Sequence, residues 1–246
     1  TYGTQNSLSL MRQLIDHGNF FDRIDLGFRT KVVDVQFVTS MNPTAGSFTI
    51  SDRLQRQFST FACMMPSQSD LRTIYHSNLD GHLEAFEPRI SGLINALVDS
   101  TVNITKSVQS SFLPSAIKFT YNWNMRELSN VVQGLCRADP GSYTKPLDMV
   151  RLWYHECNRV FKDRMVAALD LSRFEEQLLD VGKKFFSEVK IGTGMNDIIE
   201  IKAEELVAEP CVYTSFVSPS HGEPTYLPIP SQEVFVECVK GKLIDY

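Results

Sequence analysis

Residues 124–141 read NMRELSNVVQGLCRADPG, from Asn124 through Arg126 and Gly134 to Gly141. Asn124 is a strong N-cap type, and Glu127, three residues on, completes a capping-box pattern. Leu128, Val131, Val132 and Leu135 then share one face, and Asp139-Pro140-Gly141 marks the end, so the stretch predicts a helix. Arg126 falls in its first turn, where the backbone dipole is already positive and a second cation is disfavoured. Two readings are open. The N–H groups of the helix start and the guanidinium together make a place for an anion such as phosphate. Alternatively, Arg126 points into water and pairs with Glu127 or another neighbour.

Outward from this stretch the pattern is helical. Ser67 caps a predicted helix to about Ala85, with Leu71, Ile74, Tyr75 and Leu79 in phase. Pro88 opens another, whose stripe runs Ile90, Leu93, Ile94, Leu97, Thr101, Ile104 and Val108 before Phe112-Leu113-Pro114 breaks it. Lys118 to Trp123 is a short aromatic extended piece that delivers the chain to Asn124. Pro146 to about Leu169 carries the clearest helical period, with Val150, Trp153, Tyr154, Cys157, Val160, Phe161 and Met165 on one face. Arg151, Arg159, Lys162, Asp163 and Arg164 lie on the other. A helix over about 172–189, a mixed stretch over 190–230 with an extended piece at Cys211–Val217, and a last helix over about 232–244 complete this half.

The first 66 residues read differently. Leu8–His17 is a short helix ended by Gly18. Lys31–Met41 (KVVDVQFVTSM) alternates and then turns apolar, the pattern of a largely buried strand, and stops at Asn42-Pro43. Ser51 or Asp52 starts a short helix with Arg53 and Arg56, and Phe58–Met65 predicts a second strand stopped by Pro66. The fold class expected is therefore α/β plus all-α: part of an α/β sheet followed by a helical region. Two strands are too few to stand alone.

At 246 residues, with 43% hydrophobic and 22% charged residues, the composition is that of a globular chain able to bury a core. The formal charge of −5 argues against a broad nucleic-acid or anionic-membrane surface, so neither partner is expected. No apolar run reaches the roughly 18 residues of a membrane span. Five scattered cysteines without a Cys-x-x-Cys pair suit free, mostly buried thiols. His155 and Cys157, two apart on a helix, point in different directions and cannot share a metal, and no metal site is expected. The text starts at Thr1 in mid-phrase, as a piece cut from a longer chain would.

Three features bear on chemistry. Asn42 sits at the carboxyl end of a predicted strand, where ligands bind in open α/β sheets. It either orients a water or simply opens the turn before Pro43. Arg53 and Arg56 share a face of the short helix. An arginine offered to a neighbouring subunit's phosphate stabilises charge during phosphoryl transfer, while ordinary solvated arginines are the plainer alternative. Finally, no Gly-x-x-x-x-Gly-Lys-Ser/Thr run is present, Gly192-Thr193-Gly194 lacks the lysine, and no strand ends in paired acids that would hold Mg²⁺. The sequence thus offers sensors of a nucleotide without a phosphate cradle.

Met41-Asn42-Pro43-Thr44-Ala45-Gly46-Ser47-Phe48-Thr49-Ile50 followed by Arg53-Leu54-Gln55-Arg56-Gln57-Phe58 resembles dynein heavy chains. So do Phe112-Leu113-Pro114, Asn124 to Asn130 with Gln133-Gly134, and Val150-Arg151-Leu152-Trp153 with His155-Glu156. Tyr2-Gly3-Thr4-Gln5 resembles the text after the acidic Walker B strand. The matches run in family order over about residues 2–165 and more loosely beyond, closer to axonemal, outer-arm heavy chains than to cytoplasmic ones.

The resemblance implies the third of six AAA+ modules in a motor ring. Residues 1–66 would be the C-terminal part of the large α/β subdomain. Residues 67–246 would be the helical small, or lid, subdomain and the run toward the next module. It also implies roles: Asn42 as sensor 1 beside the γ-phosphate and attacking water, Arg126 as sensor 2 on the module's own nucleotide, and Arg56, with Arg53 second, as the arginine finger for the preceding module. ATP or ADP with Mg²⁺ would be bound in the intact module and not tightly by this piece, which lacks Walker A and Walker B. Expected partners are neighbouring AAA+ modules, other dynein subunits and, through other parts of the heavy chain, microtubules, in the cytoskeleton of a cilium or flagellum. Another AAA+ remodelling ATPase and a non-enzymatic helical interaction domain are the alternatives.

Overall fold

A computed structural model describes residues 6–41, 51–190, 198–217 and 225–245, and the chain divides into two units, Thr1–Met65 and Pro66–Tyr246.

In the first unit, α1 spans Asn6–His17 and buries none of its side chains fully. Gly18 ends it at φ +63, a backbone angle glycine takes without strain, and its N–H donates to Leu14 O at 2.8 Å. A short antiparallel hairpin follows, β1 (Asn19–Phe21) on β2 (Arg29–Lys31), with Phe20 opposite Thr30. Its loop is held locally by Asp22, whose Oδ1 accepts from Ile24 N at 2.8 Å. α2 is a single turn, Asp52–Gln55, that buries Leu54, and the Gln57 side chain bonds Asp16 at the end of α1.

The two strands expected from periodicity do not form here. Arg29–Lys31 is paired, but residues 32–41 and 59–65 join no ladder, and most of their apolar side chains are exposed: Val38 is 88% exposed, Phe61 85% and Met64 87%. A strand exists only where a neighbour takes its N–H and C=O groups, and among the described residues none does.

The second unit completes itself. Ser67 caps α3 (Gln68–Leu83) through a full capping box with Asp70: Ser67 Oγ accepts from Asp70 N at 3.2 Å and Asp70 Oδ2 accepts from Ser67 N at 3.0 Å. The stripe expected as one helix from Pro88 is split. α4 (Pro88–Ser91) is one turn, and α5 (Ile94–Ser111) restarts after Gly92, a weak helix former. The offset sends Ile90, Leu93 and Leu97 alike into the core, each at 0% exposure.

α6 (Met125–Leu135) and α7 (Pro146–Phe161) pack against each other, and α5 packs on α3 and α8 (Ala168–Phe186). α7 stops at Phe161, eight residues short of the expected end, and a 3-10 turn at Lys162–Arg164 redirects the chain. α8 correspondingly starts four residues earlier than periodicity suggested. Trp153 anchors the middle at 0% exposure and donates its indole N–H to Thr101 Oγ1 at 2.9 Å. Tyr121, Trp123, Phe161 and Phe174 form a chain of tilted rings 5.7 to 6.1 Å apart that ties the start of α6 to α7 and α8.

Beyond α8, β3 (Val189–Lys190) pairs with β4 (Ile198–Ile199), α9 spans Ala203–Val207, and β5 (Tyr213–Thr214) pairs with β6 (Leu227–Pro228). α10 (Gln232–Asp245) has no fully buried side chain over 232–244. Among the cysteines, Cys157 is fully buried, with its thiol pushed well up by that burial, while Cys63 is exposed.

Candidate nucleotide-sensing end of helix α6

The start of α6 is built as its sequence predicts. Asn124 is extended (φ −134, ψ −171), and its Oδ1 accepts from Arg126 N at 2.8 Å. Glu127 closes the box, its Oε2 accepting from Asn124 N at 2.8 Å. The cap leaves Arg126 exposed on the first turn, and among the described residues no carboxylate pairs with it.

Glu127 is not its partner, because that carboxylate is already taken. It is 5% exposed, and Oε1 accepts from Arg164 Nη1 at 2.5 Å. Arg164 is the hub beneath the helix end. Nη2 donates to Thr120 O at 2.8 Å and to Asn122 O at 3.4 Å, its own carbonyl accepts from Thr120 Oγ1 at 3.2 Å, and its guanidinium lies 4.9 Å from the Trp123 ring centroid. The 3-10 turn that ends α7 presents Arg164 to this loop. Next to it, Lys118 Nζ lies 2.5 Å from Asp170, and Tyr121 donates to the same carboxylate at 2.8 Å while accepting from Val166 N at 3.2 Å. Those two donors hold the Asp170 carboxyl below its usual value.

The far end of α6 is tied by a second buried network. Glu156 on α7 is 0% exposed; its Oε2 accepts from Arg159 Nε at 2.9 Å and Nη2 at 2.6 Å, and its Oε1 accepts from Tyr226 at 2.7 Å. The carboxylate lies directly against Gly134, where an added Cβ would be 2.0 Å from Oε2. The His155 ring lies between Cys211 O at 3.3 Å and the Tyr226 hydroxyl at 3.1 Å, and burial pushes its pKa down. α6 is therefore held at its start by an ion pair to the turn that follows α7, and at its far end packs through Gly134 on the Glu156 carboxylate, which α7's own Arg159 neutralises.

The other sequence candidates lie elsewhere. Arg53 lies on α2 and Arg56 at its C-cap, in the first unit, both exposed. Asn42 lies outside the described residues. Sequence reasoning did not single out Arg164, Glu156 or Gly134 for this site. Glu127 was legible as a cap but not as half of an ion pair with a residue 37 positions away. Exposed and unpaired, Arg126 suits phosphate oxygens. Among the described residues, no three of the His, Cys, Asp or Glu side chains stand together as a metal-holding group.

Comparison with known proteins gives two family matches: the AAA+ lid domain over residues 97–194 and the P-loop containing dynein motor region over residues 1–66. The phosphate-binding motif in that second description is itself absent from this sequence. The dynein beta chain of the flagellar outer arm of Chlamydomonas reinhardtii is 38% identical over all of this chain and 5% of its own length. The ciliary dynein beta chain of Tripneustes gratilla is 40% identical over 94% of this chain, and the human dynein axonemal heavy chain 9 is 34% identical over 97%; each is covered over 5% of its length. The chain thus spans a small part of these relatives, and it belongs to the dynein heavy-chain family, within the AAA+ region of the motor.

Proposed function

We propose that this chain supplies nucleotide-sensing parts to one AAA+ module, the third, of an axonemal dynein motor ring. Residues 1–66 form the C-terminal part of the large α/β subdomain and 67–246 the lid subdomain with the run toward the next module. Arg126 reaches the phosphates of the module's own ATP or ADP. Asn42 orients the attacking water as sensor 1, and Arg56, with Arg53 second, serves the preceding module. Mg²⁺ and the phosphate cradle come from parts of the heavy chain outside these 246 residues. In the whole protein, the ring works with the other dynein subunits to drive ATP-dependent movement along microtubules in cilia or flagella.

The observation that carries this reading is the free guanidinium of Arg126 on a capped helix start whose own acidic residue is already paired. The test is Arg126→Ala in the full heavy chain. ATP binding is expected to weaken relative to ADP by about 1–3 kcal/mol, the worth of a charge-assisted hydrogen bond. ATP affinity and hydrolysis both left unchanged would overturn it. Arg56→Ala should disturb the neighbouring site and leave this module's own affinity nearly intact.

A further inference from the structure

We propose that Arg164 is a positioning residue for Arg126, keeping the start of α6 in place and electrically neutral beneath it. The inference rests on the reading of Arg126 as a phosphate sensor.

The start of α6 holds two charges of opposite fate. Arg126 is outside and unpaired, while Glu127, its neighbour in sequence, is inside at 5% exposure. A buried carboxylate one residue from a phosphate-binding arginine would repel the phosphate unless it were neutralised. Arg164 supplies the counter-charge at 2.5 Å. Its remaining donors hold the carbonyls of Thr120 and Asn122, and its guanidinium covers Trp123, so the same side chain fixes the strand of chain leading into the cap. Lysine would not replace it, because a single ammonium cannot span a carboxylate and two carbonyls in one plane. Among the described residues the Arg126 side chain makes no hydrogen bond or ion pair to these groups, so Arg164 acts on phosphate only through the placement and local field of α6.

The test uses the full heavy chain and fluorescent analogues of ATP and ADP, with Arg126→Ala marking the binding component that belongs to this site. Arg164→Met keeps the apolar stem and removes the charge. It is expected to weaken ATP analogue binding about tenfold or more, the scale of one buried charge-assisted bond, with a smaller effect on the ADP analogue. Adding Glu127→Gln removes the unpaired anion and should restore most of the ATP affinity, a rescue that loss of packing alone would not give.

Hydrogen exchange at the amides of residues 126–128 should rise in Arg164→Met while α5 stays protected. The proposal is overturned if Arg164→Met binds both analogues within about twofold of the parent protein. It is also overturned if the double variant is as weak as the single one, or if α5 loses protection together with α6. Unchanged ATP binding in Arg126→Ala would overturn the sensor reading itself, and that result is obtained without altering residue 164.

Discussion

Phe61 and Trp153 are both large aromatic residues, yet one is 85% exposed in the first unit and the other fully enclosed in the second. The contrast extends to their surroundings. From residue 66 onward, helices satisfy their backbone groups within themselves and need neighbours only to cover one apolar stripe, which α3, α5, α6, α7 and α8 do for each other. In Thr1–Met65 the apolar segments are strand-like. Their backbone groups can be satisfied only by another strand, and their side chains only by a layer laid on that sheet. Equal hydrophobicity therefore gives a closed core in one place and exposed valines and methionines in the other.

This contrast can be broken most directly at Trp153. Trp153→Ala should cost about 3–5 kcal/mol in the helical unit and leave Thr101 without its indole donor, read as a fall in the urea midpoint of the chain. A loss under about 1 kcal/mol would show that the core around α7 is not closed.

Gly134→Ala comes next. Alanine gains roughly 1 kcal/mol in helix propensity over glycine, but its Cβ would displace the Glu156 carboxylate from Arg159 and Tyr226, for a net loss of about 2–4 kcal/mol. A stabilised variant would show that Glu156 moves aside freely.

A smaller effect is expected from pH at His155. Burial lowers its pKa in the folded state, so below the ordinary value of 6.5 the unfolded chain binds the extra proton and the folded one resists it. Stability from this group is complete above that value and is lost as pH falls. The difference in urea midpoint between about pH 7.5 and about pH 5.5 should shrink in His155→Gln. An unchanged difference would remove His155 from the account.

The smallest effect belongs to the first unit. Phe61→Ala in this chain should stay within about 0.5 kcal/mol, since the ring is already in water. A loss comparable with that of Trp153→Ala would erase the contrast between the units.

What could be read from the sequence follows the same line. The caps at Ser67 and Asn124 and the periods of α3, α6 and α7 were legible because a helix is specified by residues three and four apart. The expected strands at 31–41 and 58–65 were not formed, because a strand depends on partners that its own residues do not encode. The split at Gly92 and the end of α7 at Phe161 were missed, since the same apolar stripe serves a continuous helix or a broken one. At the site, the exposed Arg126 followed from local capping. The residues that prepare its surroundings did not, because Glu127 with Arg164 and Gly134 with Glu156 meet only through the packing of α6 on α7.

The unequal burial of the cysteines grades their accessibility to a reagent in solvent. Cys157 is sealed in α7, and burial keeps its thiol protonated, whereas Cys63 lies in water at the end of the first unit. A thiol-reactive dye would therefore label position 63 ahead of position 157, and with the partly exposed Cys136, Cys211 and Cys238 replaced by serine it becomes a spectroscopic reporter on the exposed segment while Cys157 stays in place. Protection of that dye from a quencher, when further parts of a heavy chain are supplied, would show when the segment around residue 63 is covered during assembly.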